Sequence, residues 1–259
     1  MRFDLSKLVK FYVPNYSVGG YGLDQALLRL KREIKTLDSK IILMCVVPET
    51  IARIHSYWRH YFEYGNTLAF KPRFAIEKDG LKLYELFIKD QESFKKIEEN
   101  EEFIQQVDYF YKYKFLENIL CFPYIFRLWK TRKQNFSILK QVIIGLITGR
   151  SEKYRKKAFK QVLRNNAKYT AEMYNDENAK LLFSRLVDEF VDLCREHDKK
   201  PVLVLTPQPV DMERFNSGFS DYSEFIAQLS EKVEVCDLTS LFVGNKNVAE
   251  WYLEGELGP

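Results

Sequence analysis

The sequence predicts a mixed α/β fold of three layers, in which a central parallel sheet lies between helices. The prediction rests on apolar runs rich in β-branched residues, each nearly continuous in hydrophobicity, as is typical of strands buried on both faces. The runs are Leu8 to Val13, Ile41 to Val47, Val202 to Thr206 and Val233 to Leu238. Because helical patterns separate these runs, a parallel sheet in an α/β/α sandwich is the expected architecture.

The first two runs are separated by an amphipathic helix. Its apolar positions recur at helical spacing, and Asp24 stands near its start, where an acidic side chain favours the helix. These apolar positions are Ala26, Leu27, Leu30, Ile34 and Leu37. A second such helix precedes the Val202 run, with apolar positions from Leu182 to Cys194. The first segment therefore reads as a β-α-β unit.

Residues 65–175 break this alternation. The stretch is long, aromatic-rich and mostly helix-like, and it contains no run that reads as a buried strand. We therefore expect one α/β domain over residues 1–259, interrupted by a mostly helical insertion from about residue 65 to 175.

No feature of the sequence indicates export, a membrane span or a metal. The longest apolar runs are far shorter than the ~20 residues of a membrane-spanning helix. Asp4 interrupts the N-terminus, which has no apolar core of a signal peptide. Cytoplasmic localisation is the default expectation. The three histidines form no metal-ligand motif, so neither a metal nor another cofactor is expected.

A glycine-rich segment marks the place where the first expected strand turns into the first helix. It reads Asn15-Tyr-Ser-Val-Gly-Gly-Tyr-Gly-Leu-Asp-Gln25. Its spacing is neither that of a dinucleotide fingerprint, nor that of a Walker A loop or a GxSxG elbow. At the carboxyl end of a parallel strand, such a turn either is a plain tight connection or holds an anion with backbone N–H groups.

The same segment closely resembles the second conserved block of the SGNH (GDSL-like) ester hydrolases, in the group that carries GVGGYG-x-DQ. The resemblance extends to the Ile41 strand and to Pro201-Val-Leu-Val-Leu-Thr-Pro207. It implies a flavodoxin-like sandwich that hydrolyses or transfers an acyl ester of a carbohydrate or lipid through a serine acyl-enzyme.

The resemblance gives Gly20 one catalytic role, because this glycine matches the one whose backbone N–H lines the oxyanion hole. Asn15, Ser17 and Gln25 match flanking positions beside the site. After the Ile41 run the family has Asn-Asp, whereas this chain has Pro48 and Glu49. Since proline has neither a side-chain amide nor an N–H, one oxyanion donor is expected to be missing.

Glu49 is followed four residues later by Arg53, beside the same expected strand end. The spacing favours a surface ion pair, and the position keeps a role next to the site open. We also note Asp211, which follows the next strand; a lone Asp there is most often a helix cap.

The resemblance identifies no residue of this chain as the nucleophile or as the base. No serine stands in a Gly-Asp-Ser block, and no histidine stands in an Asp-x-x-His block. The chain is therefore expected to be either a fragment or a natural pseudo-enzyme, inactive on p-nitrophenyl acyl esters as it stands.

The segment from Arg127 to Lys168 is strongly basic, with thirteen Lys or Arg residues and one acid, whereas the whole chain carries +4. Its apolar positions at helical spacing, Phe136, Leu139, Ile143 and Ile147, favour a core stripe with a solvated basic face. The alternative is a non-catalytic binding module that docks to an anionic membrane surface or polysaccharide. No nucleic-acid fold motif is present.

Overall fold

The structure is a computed structural model that describes residues 12–63, 66–78, 80–116, 129, 132–219 and 221–242. The chain forms two compact units. The first comprises Met1–Arg53 and Phe183–Pro259, and the second comprises Ile54–Leu182. The expected insertion at 65–175 lies within the range of the second unit.

The described residues contain both strands and helices. The strands are β1 (Ile41–Val46), β2 (Arg73–Glu77), β3 (Gly80–Tyr84), β4 (Lys200–Leu205) and β5 (Glu234–Asp237). The helices are α1 (Leu23–Glu33), α2 (Thr50–Arg53), α3 (Arg59–Phe62), α4 (Gln91–Lys95), α5 (Glu101–Val107), α6 (Arg132–Ile147), α7 (Ser151–Met173), α8 (Glu177–Glu196), α9 (Pro209–Phe215), α10 (Ser223–Ser230) and α11 (Thr239–Phe242). Short turns of 3₁₀-helix (Ile34–Thr36, Glu98–Asn100) and π-helix (Tyr111–Leu116) complete the list.

The first unit contains a parallel sheet in the order β1-β4-β5. Met44 pairs with Leu203, which in turn pairs with Val235. The three runs expected to form β1, β4 and β5 are strands, and their pairing is parallel. The α/β class and the parallel sheet are thereby confirmed.

One face of the sheet carries the core of this unit. Met44, Val46, Leu203 and Leu205 are buried there. The opposite face of β1 is open. Leu43, whose side chain lies on that face, is 46% exposed. The expectation that these strands are buried on both faces is therefore wrong for β1, whose apolar residues alternate between a buried and an exposed side.

Three helices lie side by side in the first unit. The ammonium of Lys31 on α1 binds Glu189 on α8 at 2.6 Å. On the other flank of α8, the ring of Phe183 packs edge-on against Phe225 on α10, with 5.4 Å between centroids. Phe190, near the middle of α8, is fully buried. Helix α8 therefore stands between α1 and α10.

The second unit contains an antiparallel hairpin of β2 and β3. Phe74 and Arg73 of β2 are buried, and Lys78 takes a positive φ of 54° in the turn. The expectation that 65–175 holds no buried strand is corrected here. Alternating apolar residues on either side of a short connection make the hairpin favourable.

Helices α6 and α7 of the second unit form a hairpin of their own. Gly145 lies against α7, where an added Cβ would meet the Tyr154 Cβ at 2.9 Å. The expected core stripe of α6 lies instead on the opposite, exposed side. That expectation is wrong because α6 packs on α7 through the side that carries Gly145. The exposed stripe comprises Phe136, Leu139, Ile143 and Ile147.

The first expected strand, Leu8 to Val13, is only partly covered by the structure. Residues 8–11 lie outside the described residues, and Tyr12 and Val13 are not in a strand. Within the described ranges, no helix combines the length and apolar character needed to cross a membrane.

Candidate functional site

The glycine-rich segment forms the turn that leads into α1. Gly20 has a φ of +82°, a left-handed conformation that favours glycine. Neither Gly19 nor Gly20 has a neighbouring atom within 4 Å of an added Cβ, so the space beside the turn is open. Open space therefore lies beside the backbone of this turn.

A pair of Arg–Glu clamps holds this turn in place. Arg53 donates to the Tyr21 carbonyl at 3.2 Å and binds the Glu49 carboxylate at 2.6 Å. Because Glu49 follows β1, this clamp fixes the turn at the carboxyl end of the parallel sheet. Both partners of the Glu49–Arg53 pair are largely buried, with about 15% side-chain exposure.

The second clamp acts on the other end of the turn. Arg29 on α1 donates to the Tyr16 carbonyl at 2.8 Å and pairs with Glu33 at 3.0 Å. Sequence reasoning found Glu49 and Arg53 but missed Arg29 and Glu33, although their spacing of four along α1 is the same signal. The predicted ion pair of Glu49 and Arg53 is formed, and it lies beside the glycine turn.

Three of the residues matched to the turn have local structural roles. The side chain of Asn15 accepts a hydrogen bond from the Ser17 N–H at 2.8 Å. The side chain of Gln25 accepts from the Gly22 N–H at 3.5 Å, which caps the start of α1. Ser17 is exposed. These two contacts fix the shape of the turn.

Asp211 lies at the same edge of the sheet, in the first turn of α9 after β4. Burial raises its pKa to about 7, and the negative charge of Glu49 adds to the effect. One oxygen of Asp211 accepts a hydrogen bond from the Gln208 N–H at 2.8 Å, so it is also a helix cap. A carboxyl group with this pKa exchanges a proton at neutral pH, which is a property of acid–base sites.

Within the described residues of the first unit, no histidine lies at this edge of the sheet. His197, the one histidine of the first unit, lies between α8 and β4, at the amino end of the sheet. His55 and His60 belong to the second unit. Pro48 lies after the end of β1, at the position that the resemblance matches to an asparagine side-chain amide. Within the described part of the first unit, the edge therefore combines a glycine turn with carboxyl groups and has no histidine.

A buried polar cluster lies in the second unit. The carboxylate of Asp108 accepts three backbone N–H groups, from Tyr57 at 2.6 Å, Trp58 at 2.8 Å and Phe110 at 2.8 Å. Burial raises the pKa of Asp108, and these N–H groups and the charge of Arg73 oppose the shift. This carboxylate is committed to holding the chain around Tyr57.

His55 is part of the same cluster and is buried. Desolvation and the charge of Arg73 lower its pKa to about 3, so the ring is neutral near pH 7. Its two nitrogens face Arg73 and the Ala179 carbonyl, each at 3.4 Å. The hydroxyl of the adjacent Ser56 has no hydrogen-bond partner, so the two do not form a serine–histidine pair.

An open cleft of about 600 Å³ lies above this cluster. Its lining includes Arg73, Asp108, Tyr109, Tyr111, Lys112 and Tyr113. The hydroxyl of Tyr109 already donates to Asp176 at 3.0 Å. The cleft is a concave surface of the second unit, and its carboxylate Asp108 is engaged in structure.

The described residues contain no group of three or more His, Cys, Asp or Glu side chains that could hold a metal ion. Comparison of the chain with protein-family models, with curated proteins and with solved structures finds no match. The assignment of a function therefore depends on the geometry of the site and on the sequence resemblance.

Proposed function

We propose that the first unit is an SGNH-type domain whose carboxyl edge binds the acyl ester of a carbohydrate or lipid, for hydrolysis or acyl transfer. The observation that carries the proposal is the position of the glycine turn. Arg53 ties the Tyr21 carbonyl to Glu49, directly after β1. The two segments that resemble successive blocks of the family thus meet at one edge of a parallel sheet, where ligands of α/β folds bind.

Gly20 supplies the chemical role that the turn plays in this proposal. Gly20 is left-handed and the space beside the turn is open. In this proposal, its backbone N–H stabilises the oxyanion of a tetrahedral intermediate. One such donor typically changes the rate by a factor of about 10² to 10³. Asp211, with a pKa of about 7, is the proton-exchanging group of the same edge.

The same proposal includes helices on both faces of the parallel sheet. A flavodoxin-like sandwich has helices on both faces of its sheet, and the described helices α1, α8 and α10 account for one of them. Leu43 and Ile41, exposed on the other face of β1, mark the side on which a second layer would pack.

The catalytic step needs a nucleophile and a base. The one serine in the matching turn, Ser17, has no histidine of its own unit beside it, because His197 lies at the amino end of the sheet. We therefore expect the 259-residue chain to bind acyl esters and to hydrolyse p-nitrophenyl esters only at background rates. Robust turnover that Ser17→Ala abolishes would show that the nucleophile is Ser17 and that the site is complete.

The encoding DNA provides the most informative test of the family proposal. A Gly-Asp-Ser block in frame before Met1 and an Asp-x-x-His block after Pro259 would supply the nucleophile and the base. A protein expressed with both blocks should hydrolyse acyl esters, and Gly20→Val should lower kcat by about 10² to 10³. Gly19→Ala is the matched control, since Gly19 has open space and no left-handed φ. If an extended protein with both blocks shows no esterase or acyltransferase activity, the proposal is wrong.

A further inference from the structure

The α6–α7 hairpin exposes an unusually apolar surface. Leu146 and Ile147 at the end of α6 are 70% and 79% exposed. With four other apolar side chains of α6 they occupy one side of the helix. The others are Phe136, Leu139, Val142 and Ile143, each more than 40% exposed. Isolated exposed apolar residues are ordinary, but a contiguous apolar stripe marks an interaction surface.

The second helix of the hairpin carries a row of cations. They recur at helical spacing along α7, and all are exposed. The row is Lys153, Lys156, Lys157, Lys160, Arg164 and Lys168. The acids of α7 offset little of this charge, since Glu152 and Glu172 are the two present. The exposed face of α7 that carries this row is therefore strongly positive.

Both rows begin at the tip of the hairpin. Gly149, with a φ of +63°, ends α6 and allows the turn to α7. Leu146 and Ile147 precede that glycine, and Arg150 and Lys153 follow it. All four side chains are exposed. The close approach at Gly145 keeps the two helices together, so the tip presents aliphatic side chains beside cations as one unit.

We propose that this hairpin docks on an anionic membrane surface, with the tip and the α6 stripe in the interface and the cations of α7 at the headgroups. An interfacial helix combines these two features: an apolar face that enters the acyl boundary and Lys or Arg residues that attract anionic lipid. Helix α6 has 16 residues, or about 24 Å, so it lies along a bilayer rather than across it.

The aliphatic tip distinguishes this surface from other polyanion sites. A soluble polysaccharide or nucleic acid accounts for the lysines but gives Leu146 and Ile147 no apolar partner. A second copy of the chain would cover the apolar stripe but would leave the cations beside the tip without an anionic partner. An anionic bilayer provides an apolar boundary for the stripe and negative headgroups for the cations. This inference is independent of the ester-binding proposal for the first unit.

The test is co-sedimentation of the full chain with vesicles of phosphatidylcholine, with and without phosphatidylserine, over a salt series. We expect binding to the anionic vesicles, weakened by salt and absent from pure phosphatidylcholine. The double variant Leu146→Glu/Ile147→Glu should bind at least about tenfold more weakly. Replacing Lys153 and Lys156 by Gln should reduce the affinity about fivefold for each cation and lessen the salt dependence.

Leu68→Glu is the matched control, because Leu68 is 77% exposed in the same unit but outside the hairpin. It should bind vesicles like the unmodified chain. The proposal is overturned if the tip variant binds vesicles as well as Leu68→Glu does. It is also overturned if the chain binds dextran sulfate but neither kind of vesicle, which would make the hairpin a polyanion site.

Two further measurements test whether a second copy or another part of the chain covers the apolar stripe. If light scattering finds the unmodified chain dimeric and the tip variant monomeric, a second copy covers the stripe and the membrane proposal is wrong. If the tip variant melts well below Leu68→Glu, the chain itself covers the tip, which likewise contradicts the proposal. Equal melting temperatures and monomers throughout, together with lost vesicle binding, are the supporting result.

Discussion

Replacing Asp211 by Asn should change the pH dependence of stability of the first unit. The pKa of this carboxyl is about 7 in the folded protein, chiefly because it is buried. In an unfolded chain an aspartic acid has a pKa of about 3.9, so the shift is about three units. At about 1.4 kcal/mol per unit, ionising Asp211 costs the folded state up to about 4 kcal/mol.

The sign follows from which state loses its proton first. Below about pH 4 the carboxyl is protonated in both states and this cost is absent. As the pH rises from about 4 to about 7, the unfolded chain ionises while the folded protein keeps its proton, so the free energy of unfolding falls. Asn cannot ionise, yet its side-chain oxygen can still accept the hydrogen bond that Asp211 receives from Gln208.

Denaturant unfolding at about pH 5 and about pH 8 measures this difference. The unmodified chain should lose roughly 2 kcal/mol more than Asp211→Asn over this range. The carbon-13 shift of the Asp211 carboxyl gives the pKa directly, and Glu49→Gln should lower that pKa because it removes a neighbouring negative charge.

Asp90→Asn is a control of opposite sign, because Ser93 lowers the pKa of Asp90 by hydrogen bonding. The stability that Asp90 contributes is present at neutral pH and is lost as the pH falls through its lowered pKa. An Asp211 carboxyl that titrates near pH 4, with no difference in pH dependence between the two chains, would refute the reasoning.

Three other substitutions test the packing in this account. Gly20→Ala should destabilise the chain by about 1 kcal/mol because of the left-handed φ, whereas thermal unfolding of Gly19→Ala should be nearly unchanged. Asp108→Ala leaves three backbone N–H groups without their acceptor and should cost about 3–5 kcal/mol in urea unfolding, whereas Asp90→Ala, at an exposed helix cap, should cost clearly less. Phe190→Ala should cost about 3–5 kcal/mol, and a loss below 1 kcal/mol would contradict its place in the core.

The parallel sheet could be predicted from the sequence because its signal is local. The runs that form β1, β4 and β5 are apolar, β-branched and separated by amphipathic helices, and the structure pairs them in parallel. The β2–β3 hairpin was missed because its strands are short and lie in an aromatic-rich stretch, although the Asp79-Gly80 turn between alternating residues was a usable signal.

The side on which a helix packs is harder to predict. Helix α6 is apolar on more than one side, so its sequence does not show that Gly145 faces α7 and that Phe136 and Ile147 are exposed. The same holds at the candidate site. The Glu49–Arg53 pair follows from spacing, but its contact with Tyr21 and the raised pKa of Asp211 depend on segments that only the fold brings together.

The most direct test of the proposed ester-binding edge is to map by amide NMR where an acyl ester binds. Spectra of the nitrogen-15-labelled chain would be recorded with an O-acetylated sugar, with the same sugar deacetylated, and with acetate. We predict that the acetylated sugar shifts the amides of Gly19, Gly20 and Tyr21, and that Gly20→Val abolishes these shifts while Gly19→Ala keeps them. Shifts confined to the tyrosine-lined cleft of the second unit, or equal shifts with the deacetylated sugar, would contradict the account.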